Sequence, residues 1–203
     1  MITLNGNILC AIDVETTGTN PQHHEMTQVT FLPLTKDLEP SREFVPFDLL
    51  LHIDYEERIE WDALRVTKTD FMKHQQVAMD KYQAADLFED WVAKFNLPIG
   101  KKIMPLAHNW PFDRGFIMEW LQPTAYDNFI DGRFRDSMVL AAAINDIYDR
   151  RNEPAPFTRI NLSVLCKKLN VVNKSAHNSL ADCEATAQVY KKLLDKRWLD
   201  AVK

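Results

Sequence analysis

Asn7-Ile8-Leu9-Cys10-Ala11-Ile12-Asp13-Val14-Glu15-Thr16-Thr17-Gly18 carries two signals at once. Asn7 to Ile12 is a short apolar run ending in an acid, the pattern of a strand buried on both faces. Asp13 and Glu15 are separated by one residue, so on an extended chain both carboxylates point to the same side. At the end of a central strand they would face one pocket and repel each other, unless a divalent cation held by carboxylate oxygens relieves the conflict. The plainer alternative is that the two acids cap a strand and Thr-Thr-Gly makes a turn.

Outward from this stretch, Thr27 to Leu34 alternates loosely and predicts a second strand. Glu43 to Asp54 predicts a third, with an irregular centre at Pro46, which has no N–H to give a ladder. Glu60 to His74 suits short helices. Tyr82 to Phe95 repeats apolar residues at helical spacing before Asn96, Pro98 and Gly100 break the chain. Lys102 to Ala107 is the fourth predicted strand. Pro111 fits a first helical position, and its helix should run to Leu121, before Pro123. Ile130 to Arg135 is the fifth predicted strand, followed by a helix from Asp136 towards Tyr148. Residues 149–160 form a polar loop, and Leu162 to Leu169 and Ser179 to Trp198 are closing helices. Three leading strands form an antiparallel meander, and a parallel crossover through 79–95 follows it. The expectation is an α/β fold, a mixed five-stranded sheet flanked by helices.

The 203 residues suit one domain, 1–203. A net charge of −5 argues against a protein that coats nucleic acid, but not against an enzyme that binds divalent cations on carboxylates, because the ions invert the local sign. Cys10, Cys166 and Cys183 form no CxxC pair, which fits a reducing cytoplasm rather than a disulfide framework. Cys166 and Cys183 lie in helical patterns and read as core, leaving a cysteine hydrolase without support. No apolar run approaches the roughly 20 residues that span a bilayer, and no signal peptide is present, so no membrane association is expected.

Two further stretches carry acids at element junctions. His108-Asn109-Trp110-Pro111-Phe112-Asp113 follows the fourth strand, with Asp113 in a first helical turn, where the helix dipole alone would favour an acid. His177-Asn178-Ser179-Leu180-Ala181-Asp182 opens the last long helix, and Ser179 with Asp182 also matches a capping box. His177, in the preceding loop, is placed to take a proton from an attacking water. The three junctions fall at one edge of the expected sheet.

DVETTG, HNWPFD and HNSLAD, in that order, resemble the three motifs of the DnaQ-like (DEDDh) 3′→5′ exonuclease family. RDSMVLA and NLSVLCKKLNV resemble the segments between them, so the likeness covers nearly the whole chain. The resemblance implies a ribonuclease H-like fold and a two-metal mechanism that releases nucleoside 5′-monophosphates. It implies that Asp13, Glu15, Asp113 and Asp182 hold two Mg2+ or Mn2+ ions and that His177 is the general base. Thr16, Thr17 and Gly18 would meet the terminal nucleotide, and Asn109 and Phe112 would line its pocket. The partner would be the 3′ end of a single-stranded nucleic acid, DNA or RNA.

A catalytically weak module that binds nucleic acid or a DNA polymerase is the alternative, and several relatives are homodimers. With the last helix ending close to Lys203, a stand-alone exonuclease is expected. Two departures stand out. Thr19 replaces a leucine common in the family, and Asn20 to Met26 is unusual, its His23 and His24 read as a solvated loop or as the mouth of the site. Arg150, Arg151 and Arg159, with Lys167, Lys168 and Lys174, are candidate contacts to the strand's backbone. Trp110 is either a stacking platform or core.

Overall fold

The computed structural model describes residues 3–195. Its central strand is β2 (Asn7–Thr16), preceded by a two-residue strand β1 (Thr3–Leu4) that pairs back onto it. Asn5 and Gly6 make that turn with positive φ angles of 55° and 91°, a conformation that Asn-Gly tolerates best. β3 (Met26–Pro33) and β4 (Phe47–Leu50) complete the antiparallel meander. After α1 (Trp61–Thr67), α2 (Phe71–Val77) and α3 (Lys81–Ala93), β5 (Ile103–Ala107) pairs parallel to β2. α4 (Trp110–Phe129), β6 (Arg135–Asp136), α5 (Ser137–Asp149), α6 (Leu162–Leu169) and α7 (Ser179–Leu193) follow. The sheet order β4-β3-β2-β5-β6 is the expected mixed five-stranded sheet of a ribonuclease H-like fold, with β1 added beside β2.

Strand periodicity divides the core. Ile8, Cys10, Ile12 and Val14 pack with Phe31, Phe88, Trp91 and Phe116 on the face covered by α3 and α4. Leu9 and Ala11 pack with Leu32, Leu106, Cys183 and Ala187 on the face covered by α7. Asp13 and Glu15 continue the odd-numbered side, so the alternation that buries Leu9 and Ala11 beneath α7 also delivers both acids to the start of that helix. The three cysteines are buried and free, as expected of core residues.

Several boundaries differ from expectation. The third strand shrinks from Glu43–Asp54 to four residues. Beyond it, Leu51 N donates once more to Thr27 O of β3 while Leu51 bridges Met79 on its other side, and the backbone of Ile53 pairs with the side chain of Gln75 instead of a strand. The fifth strand is not continuous over Ile130–Arg135. Ile130 bridges Ile103, Asp131 turns back onto Arg133, and ladder pairing resumes only at Arg135–Asp136. The first helical stretch of α4 ends at Leu121 as expected, because Gln122 leaves the helical region at φ 62°, but Pro123 then starts a second stretch that runs to Phe129. α7 ends at Leu193 with Leu194 as its C-cap, short of the expected Trp198, which itself lies outside the described residues.

Candidate active site

β2 outruns β5. Their pairing stops at Ala11–Leu106, which leaves the last residues of β2 open on that side. Asp113, brought by the first turn of α4, fills the opening: its Oδ1 accepts the Val14 N–H at 3.1 Å. At 3% exposure Asp113 is a buried tertiary contact, so the helix dipole alone does not account for it. From the opposite side α7 brings Asp182. Single carboxylate oxygens of Asp13, Glu15 and Asp182 all lie within 4.8 Å of one another. The three junctions do meet at one edge of the sheet.

Burial raises the carboxyl groups first, and neighbouring carboxylates raise them further. Asp13 is held well above the usual carboxylate range by burial and then by Asp113, Glu15 and Asp182. Glu15 is pushed up to about 7 by burial and by Asp182. Burial likewise raises Asp113 and Asp182, opposed at Asp113 by the Val14 N–H and at Asp182 by Asn173 and His177. A cluster of carboxylates that resists ionisation is built to receive positive charge, and an all-oxygen donor set selects hard divalent cations.

This has a measurable consequence. The folded chain keeps protons that the unfolded chain releases, so the site's contribution to stability is full below the ordinary glutamate value of 4.5 and is lost as pH rises through about 7. Metal-free protein should therefore melt lower at about pH 8 than at about pH 5, and magnesium should raise Tm far more at the higher pH. Equal magnesium shifts at the two pH values would contradict this.

Asp182 is placed by a network that the motifs did not reveal. The N-cap of α7 is Asn178, whose side chain accepts from Ala181 N, so Ser179 and Asp182 are not a capping box. Ser179 is instead buried against Thr30, while Gln28 accepts from Ser179 N and donates to Asp48. Asp182 accepts from Asn173 Nδ2 and, at 3.1 Å, from the backbone N–H of His177. His177 itself is exposed, in the left-handed region at φ 64°. Asp136 plays the matching role for Asp113: its carboxylate accepts from Asn109 N and Trp110 N at the head of α4 and caps α5 through Met138 N and Val139 N. Gln28, Thr30, Asp48, Asn173 and Asp136 lie outside the three motifs, and only the tertiary fold connects them to the site.

Among the other expected residues, Thr17 is fully buried. Its backbone exchanges hydrogen bonds with Glu25 and Glu60, and its Oγ1 accepts from Glu25 N at 2.9 Å. Thr16 donates to Gly18 O at 2.6 Å. Asn109 is exposed in the left-handed region, and Phe112 is half-buried with its ring 5.2 Å from that of Phe116. Trp110 is core at 2% exposure, which rules out the stacking platform. His108 is pinned to Ser137 at 2.8 Å.

His24 is not part of a solvated loop. Its side chain is 7% exposed, its Nδ1 accepts from Asn20 N, and its Nε2 faces Glu60 at 3.3 Å. The ring covers Gly18 so closely that an added Cβ would meet it at 2.5 Å. Gly18→Ala should cost about 1–3 kcal/mol through overpacking, and most of that cost should vanish in a His24→Ala background. Chemical denaturation of the four proteins checks it, and an equal cost in both backgrounds would refute the contact.

A mixed sheet whose central strand ends in two acids, joined by one acid from each of two helices, is the arrangement that the resemblance to the DnaQ-like exonucleases implies. The chain belongs to the RNase T exonuclease family, which it matches over residues 10–190. The PolC-type DNA polymerase III of Staphylococcus haemolyticus is 24% identical over 184 residues, which cover 91% of this chain and 11% of the polymerase. An exonuclease I structure superposes with a TM-score of 0.71 at 18% identity, covering 96% of this chain and 43% of that one. E. coli exonuclease I in complex with a dT13 oligonucleotide gives 0.66 at 18% identity, again over 96% and 43%. A 3′-exonuclease with end-specific recognition of a histone mRNA stem-loop gives 0.65 at 17% identity, over 93% and 64%. The chain thus spans about a tenth of the polymerase and under half of the exonuclease I chains.

Proposed function

We propose that the chain is a metal-dependent 3′→5′ exonuclease that releases nucleoside 5′-monophosphates from single-stranded DNA or RNA ends. The carrying observation is the meeting of Asp13, Glu15 and Asp182 within 4.8 Å, beside a buried Asp113. In this proposal Asp13, Glu15, Asp113 and Asp182 would hold two Mg2+ or Mn2+ ions through their carboxylate oxygens. When bound, the ions supply the positive charge that offsets the carboxylates and the phosphodiester and activates water.

The remaining work belongs to the chain's own groups. The His177 imidazole, on an exposed loop tied to Asp182 through its backbone N–H, removes a proton from the attacking water. Thr16, Thr17 and Gly18 form a buried turn clamped by Glu25 and Glu60, which in this proposal supports the pocket of the terminal nucleotide from beneath. Asn109, exposed at the head of α4, and the half-buried Phe112 would line the pocket of the terminal nucleotide. On this reading residues 1–203 form one exonuclease domain acting in the cytoplasm. No helix among the described residues is long and apolar enough to cross a membrane.

The likeness to a PolC-type polymerase supports a second reading, a proofreading-type module that binds nucleic acid or a DNA polymerase and turns over weakly alone. Product analysis separates them. Mass spectrometry of a digested oligonucleotide should find nucleoside 5′-monophosphates as the first products. Nucleoside 3′-monophosphates, or internal fragments, would refute the exonuclease mechanism, and no product at all would favour the binding module.

A further inference from the structure

A groove of about 470 Å³ opens beside the acids, and Glu15 and His177 both line it. Its far wall is the junction of α1 and α2, where Thr67, Lys68, Thr69 and Lys73 face the same space. Lys68 and Lys73 are exposed. Lys73 has an ion-pair partner one helical turn away, Asp70 at 3.4 Å, while Lys68 makes no ion pair among the described residues. An exposed i,i+3 pair holds its lysine weakly, so both ammonium groups are available to an anion in the groove.

Lys68 also occupies an unusual place. It ends α1 in the left-handed region at φ 58°, where glycine costs least, so this wall carries a cation at the expense of backbone strain. By contrast, none of Arg150, Arg151, Arg159, Lys167, Lys168 and Lys174 lines the groove, and Lys174 is paired with Glu184 at 3.7 Å.

We propose that the groove is the track of the substrate strand, with Lys68 and Lys73 holding backbone phosphates upstream of the scissile bond. This rests on the exonuclease reading. Lys68 and Lys73 lie on one wall, with Asp70 between them in sequence and paired to Lys73, and Glu15 brings the acid cluster to the groove, so a polyanion would be held along it while its last phosphodiester is drawn to the acids. Backbone contacts of this kind carry no sequence preference. The wall thus fits a single strand of any sequence.

The test compares wild type, Lys68→Glu/Lys73→Glu, and Lys94→Glu, an exposed lysine just past α3 at the opposite end of the sheet. Degradation kinetics on a single-stranded oligothymidylate are measured in magnesium across a salt series, and binding by anisotropy in EDTA. The double variant should raise KM about tenfold with kcat largely kept, and flatten the salt slope by about 1.4, the value for two phosphate contacts on a single strand. Lys94→Glu should change neither. Lys68→Gly, which removes the charge while relieving the left-handed strain, should weaken binding without lowering Tm. Unchanged KM and salt slope in the double variant, with wild type active, would overturn the groove and leave the exonuclease reading intact. If wild type shortens no strand, the exonuclease reading fails. The EDTA salt slopes then judge the groove alone: a flatter slope in the double variant supports it and identical slopes overturn it.

Discussion

Asp13→Asn should reduce metal-dependent shortening of a labelled strand by at least about 10⁴-fold, the scale on which loss of a central catalytic group acts. Asp13 stands at the junction of the cluster, with Glu15 and Asp182 on one side and Asp113 on the other, and all three raise its carboxyl group after burial has done so. An amide cannot supply the charged oxygen that a hard cation requires. The same change should have an opposite effect on the metal-free fold. It removes a carboxylate that repels its neighbours, so Asp13→Asn should melt higher than wild type in EDTA at about pH 8 and gain little from magnesium. Loss of activity with a lowered melting temperature would instead indicate damage to β2.

His177→Asn should lower kcat by about 10²- to 10⁴-fold, as loss of a general base does, with KM little changed. Asparagine is the informative substitution because it accepts the left-handed backbone of this position and keeps the N–H that Asp182 Oδ2 accepts. The loop and the acid stay in place while the imidazole is removed. Near wild-type turnover would remove His177 from the chemistry, and a fall in kcat equal to that of Asp13→Asn would point to a lost ion rather than a lost base.

The central strand and its acids were readable because two short-range rules act together there: a run buried on both faces, then strict alternation that puts Asp13 and Glu15 on one side. The Leu162–Leu169 helix was readable to its last residue because its apolar face and flanking asparagines are local features. What escaped depends on partners distant in sequence. Asn178 and Ser179 are both good caps, and only the burial of Ser179 against Thr30 assigns the cap to Asn178. The chain beyond Leu50 reads as more strand because its apolar residues continue, yet Leu51 bridges Met79 and the backbone of Ile53 pairs with the Gln75 side chain. His24 looked like a loop residue, and its burial follows from a glycine six positions earlier that leaves room for the ring. Nothing local marks Lys68, because a lysine at a helix end is ordinary and only the tertiary fold sets it on the wall of the groove.

The most direct test incubates the protein with 5′-labelled single-stranded DNA and matched RNA in magnesium, manganese or EDTA, alongside Asp13→Asn. The expected result is a ladder that shortens from the 3′ end, needs a divalent ion and is absent in the variant, with the faster substrate identifying the preferred sugar. Tight binding of either strand with no shortening in any metal would contradict it.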